Sequence, residues 1–189
     1  PQAQFVVTSR RRLGLSVEQV IPLEPLPLLD AMTLFLGRAR RLQPELRLGT
    51  SERQRIAPLL DRLECNALAI LLSAGQLQKS SFDEWTDALE QFDDASDVLS
   101  EVLERSWRLL SAADRAVLGQ ATEFRGGFTL EAAESILSVD DDWVDEVIER
   151  LLDHSLLYMR ETQGQIRYFL YESVRRFATA RAEYNKSAV

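Results

Sequence analysis

Side chains capable of acid–base or nucleophilic chemistry are few in this sequence of 189 residues. It holds one histidine, His154, and one cysteine, Cys65. A single cysteine excludes an internal disulfide and a cysteine-cluster metal site. A lone histidine supplies neither a metal site nor a catalytic pair, and without a second base no nucleophilic triad can be assembled. We therefore expect no catalytic residue and no metal site. His154 is predicted to be structural, at a helix end where the helix dipole favours a cation.

Lysines that could hold phosphate groups are also few. The chain has only Lys79 and Lys186, and neither follows a glycine or a strand. Nucleotide hydrolysis by a phosphate-binding loop needs a glycine-rich turn ending in Gly-Lys-Ser/Thr. No acidic residue ends an apolar strand, so the carboxylate that would position Mg²⁺ is missing too. The sequence predicts that this chain is not an enzyme and binds no cofactor by itself.

The charge is divided unequally along the chain. The net charge of −8 combines +4 in residues 1–60, where nine arginines face five acidic residues, with −12 in residues 61–189. The hydrophobic fraction of 46% is ordinary for a globular protein. No apolar run approaches the length of a membrane span. We expect no membrane contact and a cytoplasmic location.

The first half is predicted to be helical after one short strand. Residues 4–8 are apolar and β-branched, which is typical of a buried strand in a parallel sheet whose partners lie outside this chain. A proline-marked connector follows at residues 22–27. The predicted helices are a first one capped by Asp30, a second with Pro58 at its start or at a kink, an apolar one over 67–74, and one over 82–92 with a Ser81–Glu84 capping box. An acidic break at residues 93–97 predicts a domain boundary.

The second half has the element order of a winged-helix domain. Ser111 with Asp114 starts a helix, Gly126 and Gly127 supply a turn, and Thr129 starts a short helix. A further helix is predicted over about 142–154, followed by a hairpin from 156–160 and 166–171, and by a closing helix. Three tryptophans are predicted to pack inside or between helices: Trp85, Trp107 and Trp143.

The predicted fold class is therefore mainly α. A remnant of a parallel α/β core with an orphan strand (1–27) precedes a helical lid subdomain (28–92) and a winged-helix domain with one β-hairpin (97–185).

Four stretches in this order resemble the C-terminal part of the nucleotide-binding module of the STAND ATPases, the NB-ARC or AP-ATPase group, and most closely its bacterial regulators. Together they cover nearly the whole chain. They are residues 5–10 with 13–15, residues 20–35, residues 63–74, and residues 126–133 with 167–168 and 174–178.

This resemblance implies nucleotide-contacting roles in a longer parent protein that binds ATP or ADP with Mg²⁺. Ser9 and Arg10 take the position that senses the terminal phosphate, because a guanidinium binds phosphate oxygens with two parallel hydrogen bonds. Cys65 and Ala67 take the adenine-side positions, where the family has glycine and proline. Tyr171 stands on the phosphate side, where relatives have histidine. The alternatives are a solvated basic turn for residues 10–12 and a plain buried helix start for residues 65–70.

The preferred functional hypothesis is a regulatory, non-catalytic fragment that couples nucleotide state to signalling or transcription. Its expected partners are an upstream nucleotide-binding core and other protein domains. The alternatives are a stand-alone winged-helix DNA-binding protein and a helical protein–protein adaptor. DNA binding is predicted to be absent, because the helix before the hairpin would repel phosphate groups. Arg167, Arg175 and Arg176 are judged too few to outweigh its acidic residues, which are Asp140, Asp141, Asp142, Asp145, Glu146, Glu149 and Asp153.

Overall fold

The protein is mainly helical, as the sequence predicts. The computed structural model describes residues 5–9, 13–91, 97–139, 142–162 and 164–187, with only the backbone described for 182–187. Within those ranges the chain forms nine helices and one two-stranded antiparallel sheet. No described helix is long and apolar enough to cross a membrane.

The first four helices form the helical half of the molecule. They are α1 (Leu28–Leu42), α2 (Thr50–Arg62), α3 (Ala67–Gln76) and α4 (Phe82–Glu90). Helix α3 is the most buried of them, and α1, on one side, packs against it. Trp85 of α4 is fully buried, stacks on Phe35 of α1 at 4.8 Å between ring centroids, and donates its Nε1–H to Ser73 Oγ at 2.8 Å. The apolar run over 67–74 is thus central to the core, as predicted.

The remaining elements follow the predicted winged-helix order. They are α5 (Val98–Leu109), α6 (Ala112–Ala121), α7 (Leu130–Ile136), α8 (Val144–Asp153), β1 (Leu157–Thr162), β2 (Gln165–Leu170) and α9 (Glu172–Ser187). Helix α5 packs against α3 of the helical half and against α9. Helix α8 packs on α6 and α7 and leads directly into β1. Because α5 contacts both halves, the core is continuous from α1 to α9.

Local capping chemistry explains why several helices begin where the sequence predicts. Ser81 and Ser111 each accept a hydrogen bond from the backbone three residues on, and Glu84 and Asp114 bond back to the cap. Thr129 caps α7 through the amide of Ala132. A capping side chain satisfies an amide that the first turn leaves without a partner. These three helix starts are confirmed.

Three predictions about local structure need correction. Residues 5–8 form no strand, because no described residue pairs with their backbone, and they are exposed. Gln4 lies outside the described residues. Asp30 does not cap α1, which begins after Pro27, a residue whose fixed φ suits a helix entry. Of the two predicted positions for Pro58, the helix start is excluded, because Pro58 lies inside α2. The boundary predicted at 93–97 falls almost wholly outside the described residues.

Trp143 is the exception among the tryptophans. Trp85 is buried and Trp107 packs edge-on against Phe177 at 5.9 Å, as predicted. Trp143 stands at the N-cap of α8 with 75% of its surface exposed, so the prediction that it packs in the core is wrong. The helix whose periodic apolar residues suggested burial begins one residue later, at Val144.

Candidate nucleic-acid interface

A buried ion pair fixes α8 against α6. Asp114, whose side chain is only 1% exposed, accepts a hydrogen bond from Arg150 Nε at 2.8 Å, and Arg150 also pairs with Asp142 at the entrance to α8. Burial raises the pKa of Asp114, but hydrogen bonds from Ser111 and Arg150 outweigh burial and lower it below the usual value. Asp114 therefore stays ionised at neutral pH and sets the orientation of α8.

A second arginine fixes α9 against the turn between α6 and α7. Arg175 donates to the carbonyl oxygens of Thr122 and Phe124, the latter at 2.8 Å. These carbonyls lie at the C-terminal end of α6, where helix geometry leaves acceptors unpaired. Arg175 therefore links α9 to the end of α6.

The turn that follows is shaped by glycine. Gly127 has φ +74°, and a Cβ there would lie 2.4 Å from the ring of Phe169. The next residue, Phe128, exchanges two backbone hydrogen bonds with Tyr168 on β2, at 2.9 and 2.7 Å. The hairpin is thereby anchored to the helices on the β2 side.

The two faces of the hairpin carry different chemistry. Directly opposed residues of an antiparallel pair lie on the same face. One face carries Arg160 opposite Arg167, with Thr162 opposite Gln165 at the tip. We call these four residues the arginine face of the wing.

Aromatic rings continue the arginine face toward the helices. Tyr158 and Phe169 stack at 5.4 Å, and the guanidinium of Arg160 lies 5.9 Å from the Phe169 centroid. Arg167 donates to the Gly127 carbonyl at 2.8 Å. On the opposite face Tyr168 packs against Phe128, Met159 and Ile166 are exposed, and the one acidic residue is Glu161. Positive charge is therefore segregated on one side of the wing.

The outer surface of α8 is acidic, as its sequence indicates. Asp145, Glu146, Glu149 and Asp153 are all exposed, while Arg150 is turned toward Asp114. Asp140 and Asp141 lie outside the described residues. These exposed carboxylates repel anions from the outer surface of α8.

His154 is the C-cap of α8 and is 3% exposed. Its structural role was predicted, but the expected cation is not favoured. Burial lowers its pKa, and the nearby charge of Lys79 lowers it further. The loss of hydration on burial lowers the pKa of His154 by more than the helix dipole raises it.

The residues predicted to contact nucleotide lie in three parts of the described chain, and Arg10 lies outside it. Ser9 is exposed. Cys65 is buried in a left-handed turn, φ 47°, and Ala67 begins α3 on the surface. Tyr171 lies against Tyr158 at 4.7 Å, and burial raises its pKa. No hydrogen bond or ring contact among the described residues joins Cys65 or Ala67 to Tyr171.

Sequence reasoning missed Arg160. Its pairing with Arg167 could have been found from the hairpin register, because the predicted turn over 162–165 places these two residues opposite each other. Arg175, which was grouped with Arg167 as a basic spot, bonds to backbone carbonyls instead.

The comparison with protein families agrees with this geometry. Residues 110–183, which run from the end of α5 into α9, match the family described as "Winged helix-turn-helix domain". This portion of the chain is therefore a winged helix-turn-helix domain.

Curated relatives match 94% of the chain. One, from Mycobacterium tuberculosis strain H37Rv, is named "Putative HTH-type transcriptional regulator" and is 26% identical over 193 residues, which are 22% of its length. Another from the same organism, named an uncharacterized protein, is 27% identical over 194 residues, which are 49% of its length. The chain spans about a fifth and about half of these relatives, respectively.

These findings correct two expectations. A winged helix-turn-helix domain and relatives with that name point to DNA binding, and they contradict the prediction that the chain does not bind DNA. That prediction gave the acidic helix more weight than the basic residues near the wing, among which it did not count Arg160. The findings lend no support to the resemblance to STAND ATPases.

Proposed function

We propose that this chain is a regulatory segment of a transcriptional regulator and that its winged helix-turn-helix domain contacts duplex DNA. The observation that carries the proposal is the match of residues 110–183 to that domain. The names of the mycobacterial relatives support the regulatory role. The activity of any longer protein that contains this segment is part of the same proposal.

The arginine face of the wing is the DNA contact that the geometry supports best. Like charges directly opposite each other on a sheet are destabilising. Arg160 and Arg167 nevertheless occupy one such pair, and no ion pair to either is present among the described residues. A phosphate oxygen between them would relieve the repulsion and accept charge-assisted hydrogen bonds. The polar pair at the tip adds two further groups that can bond phosphate or sugar.

The acidic surface of α8 sets the strength of this contact. Non-specific affinity comes from cations that displace counterions from the phosphates, and carboxylates near the duplex subtract from it. We therefore expect weak, strongly salt-dependent binding, with a Kd for non-specific duplex of roughly 10⁻⁴ to 10⁻⁶ M. The wing supplies the attraction, and the backbone bridge between Phe128 and Tyr168 and the packing of α8 on β1 hold it in place.

Two neighbouring residues on opposite faces of β1 test this assignment. Arg160→Gln should weaken binding of a fluorescent duplex and reduce the slope of log affinity against log salt by about 0.9, because one phosphate contact is lost. Glu161→Gln changes the net charge by one unit of the opposite sign on the other face and is the control. It should leave the slope unchanged.

The readout is fluorescence anisotropy at several salt concentrations. The assignment of the contact to the arginine face is wrong if Arg160→Gln binds like the wild type. A change of equal size and opposite sign from Glu161→Gln would also count against it, since the effect would then report net charge alone and not the face.

A further inference from the structure

Cations converge where the helical half meets the end of α8. Arg38 of α1 donates from Nη2 to the carbonyl oxygens of Leu152 and Asp153, at 2.6 and 2.8 Å. Lys79, just after α3, donates from Nζ to the Leu109 carbonyl at 2.7 Å. Arg41 lies one turn beyond Arg38 on α1. We call Arg38, Arg41 and Lys79 the junction cations.

The junction itself is tightly packed. A Cβ at Gly75 of α3 would lie 3.2 Å from the His154 carbonyl oxygen, so α3 and the end of α8 are in close contact. A cleft of about 360 Å³ opens beside this contact and is lined by Gln43, Lys79, Asp153 and His154 among others. The junction cations therefore stand at a fixed distance from the winged helix-turn-helix domain.

The charges of the junction cations are not neutralised by their partners. Arg38 and Lys79 bond to backbone carbonyls, which carry no net charge. Arg41 is exposed and forms no ion pair with any described residue. By contrast, Arg55 pairs with Asp83, and Arg150 pairs with Asp114 and Asp142.

The charged groups that act on Arg38 are a like charge, Arg41, and one acid, Asp153. Burial lowers the pKa of Arg38, the carboxylate of Asp153 raises it, and the charge of Arg41 lowers it again. The Arg38 Nε is buried without a hydrogen-bond partner among the described residues. Asp153 is exposed and offsets only one of the three cations. The excess of positive charge favours an anion.

We propose that Arg41 and Lys79, backed by Arg38, form a second contact with a DNA backbone phosphate, so that the duplex-binding surface extends from the wing across the end of α8 onto the helical half. This inference rests on the proposed function. Cations on both sides of α8 would hold a duplex against the domain despite the carboxylates on the helix surface. The helical half thereby becomes part of the DNA interface.

Arg41 is the residue to change, because it bonds to no described part of the fold and is exposed. Arg41→Gln should reduce the salt slope of duplex binding by about 0.9, so that between 50 and 200 mM salt it loses about threefold less affinity than the wild type. Arg41→Lys keeps the charge and should keep the wild-type slope. Arg108→Gln removes an exposed arginine that pairs with Glu104 on α5 and is the matched control.

The outcomes separate this inference from the proposed function. If the wild type does not bind duplex DNA, the proposed function fails and this contact with it. If the wild type binds and Arg41→Gln keeps the wild-type slope, only the junction contact is overturned. Equal slope losses in Arg41→Gln and Arg108→Gln would also overturn it, because the effect would then report net charge alone. Combined with Arg160→Gln, Arg41→Gln should reduce the slope by about 1.8, the sum of two independent contacts.

Discussion

At the scale of single residues, His154 couples the stability of the junction to pH. It is buried at the end of α8, and burial followed by the charge of Lys79 lowers its pKa. Asp114 and Asp153 act in the opposite direction, while Arg38 adds to the lowering. The folded protein therefore binds a proton at His154 less readily than the unfolded chain does.

We predict that the free energy of unfolding falls as pH drops from about 7 to 5, through the unfolded pKa of histidine near 6.5. Above this window both states are neutral at His154, so it contributes no pH dependence there. Within it the unfolded chain gains the proton first and is stabilised by about 1.4 kcal/mol per unit of pKa difference. Urea unfolding at several pH values measures the slope.

His154→Gln should remove this slope. Asp114, whose pKa is also lowered, contributes only at more acidic pH, because its stabilising charge is lost when pH falls through the folded pKa of an aspartate. If the slope between pH 7 and 5 persists unchanged in His154→Gln, the histidine is not its source.

These residue-scale properties show the limit of sequence reasoning. The position of His154 at a helix end was predicted and is confirmed. Its neutral state depends on burial beneath α3 and on Lys79, which lies 75 positions earlier in the printed sequence. The exposure of Trp143 likewise depends on where α8 begins, which the helical period leaves uncertain by one residue.

At the scale of elements, the turn at Gly126 and Gly127 leads into Phe128, which pairs with β2. Only one of the two glycines is required by this turn. Gly127 has a positive φ and touches the Phe169 ring, whereas Gly126 has open space at its Cβ position. The sequence predicted a tight turn from the pair. It could not distinguish the two, because the difference lies in a contact with a strand about 40 residues away.

We predict that Gly127→Ala destabilises the protein by about 2 to 4 kcal/mol, because it adds a strained backbone conformation to a clash with Phe169. Gly126→Ala should change stability by no more than about 0.5 kcal/mol. Chemical denaturation of both variants measures the difference. Equal effects at the two positions would mean that the turn does not depend on Gly127.

Elements whose starts are set by neighbouring residues were predictable. The Ser81–Glu84 and Ser111–Asp114 capping boxes act over three residues, so the sequence contains the whole interaction. The strand predicted over 4–8 is not formed by residues 5–8, because a strand depends on pairing with a distant segment that the local sequence does not reveal. The start of α1 at Leu28 was missed by a few residues, because the prediction placed the cap at Asp30 and not at Pro27.

At the scale of the whole molecule, function depends on how charge is distributed over several elements. The acidic α8 was visible in the sequence, and it led to the wrong conclusion about DNA. The arginine face of the wing requires the hairpin register, and the junction cations require the packing of α1 and α3 against α8. Neither arrangement follows from the composition of one segment.

The most direct test of DNA contact is the salt dependence of duplex binding by the unmodified chain. Anisotropy of a labelled duplex should rise saturably with protein at about 50 mM salt, and log affinity should fall linearly with log salt. With contacts from the wing and from the junction cations, a slope of about −2 or steeper is expected, at about 0.9 per phosphate. An anisotropy that stays flat up to roughly 10⁻⁴ M protein at low salt, the weak limit of non-specific binding, would contradict the proposed function.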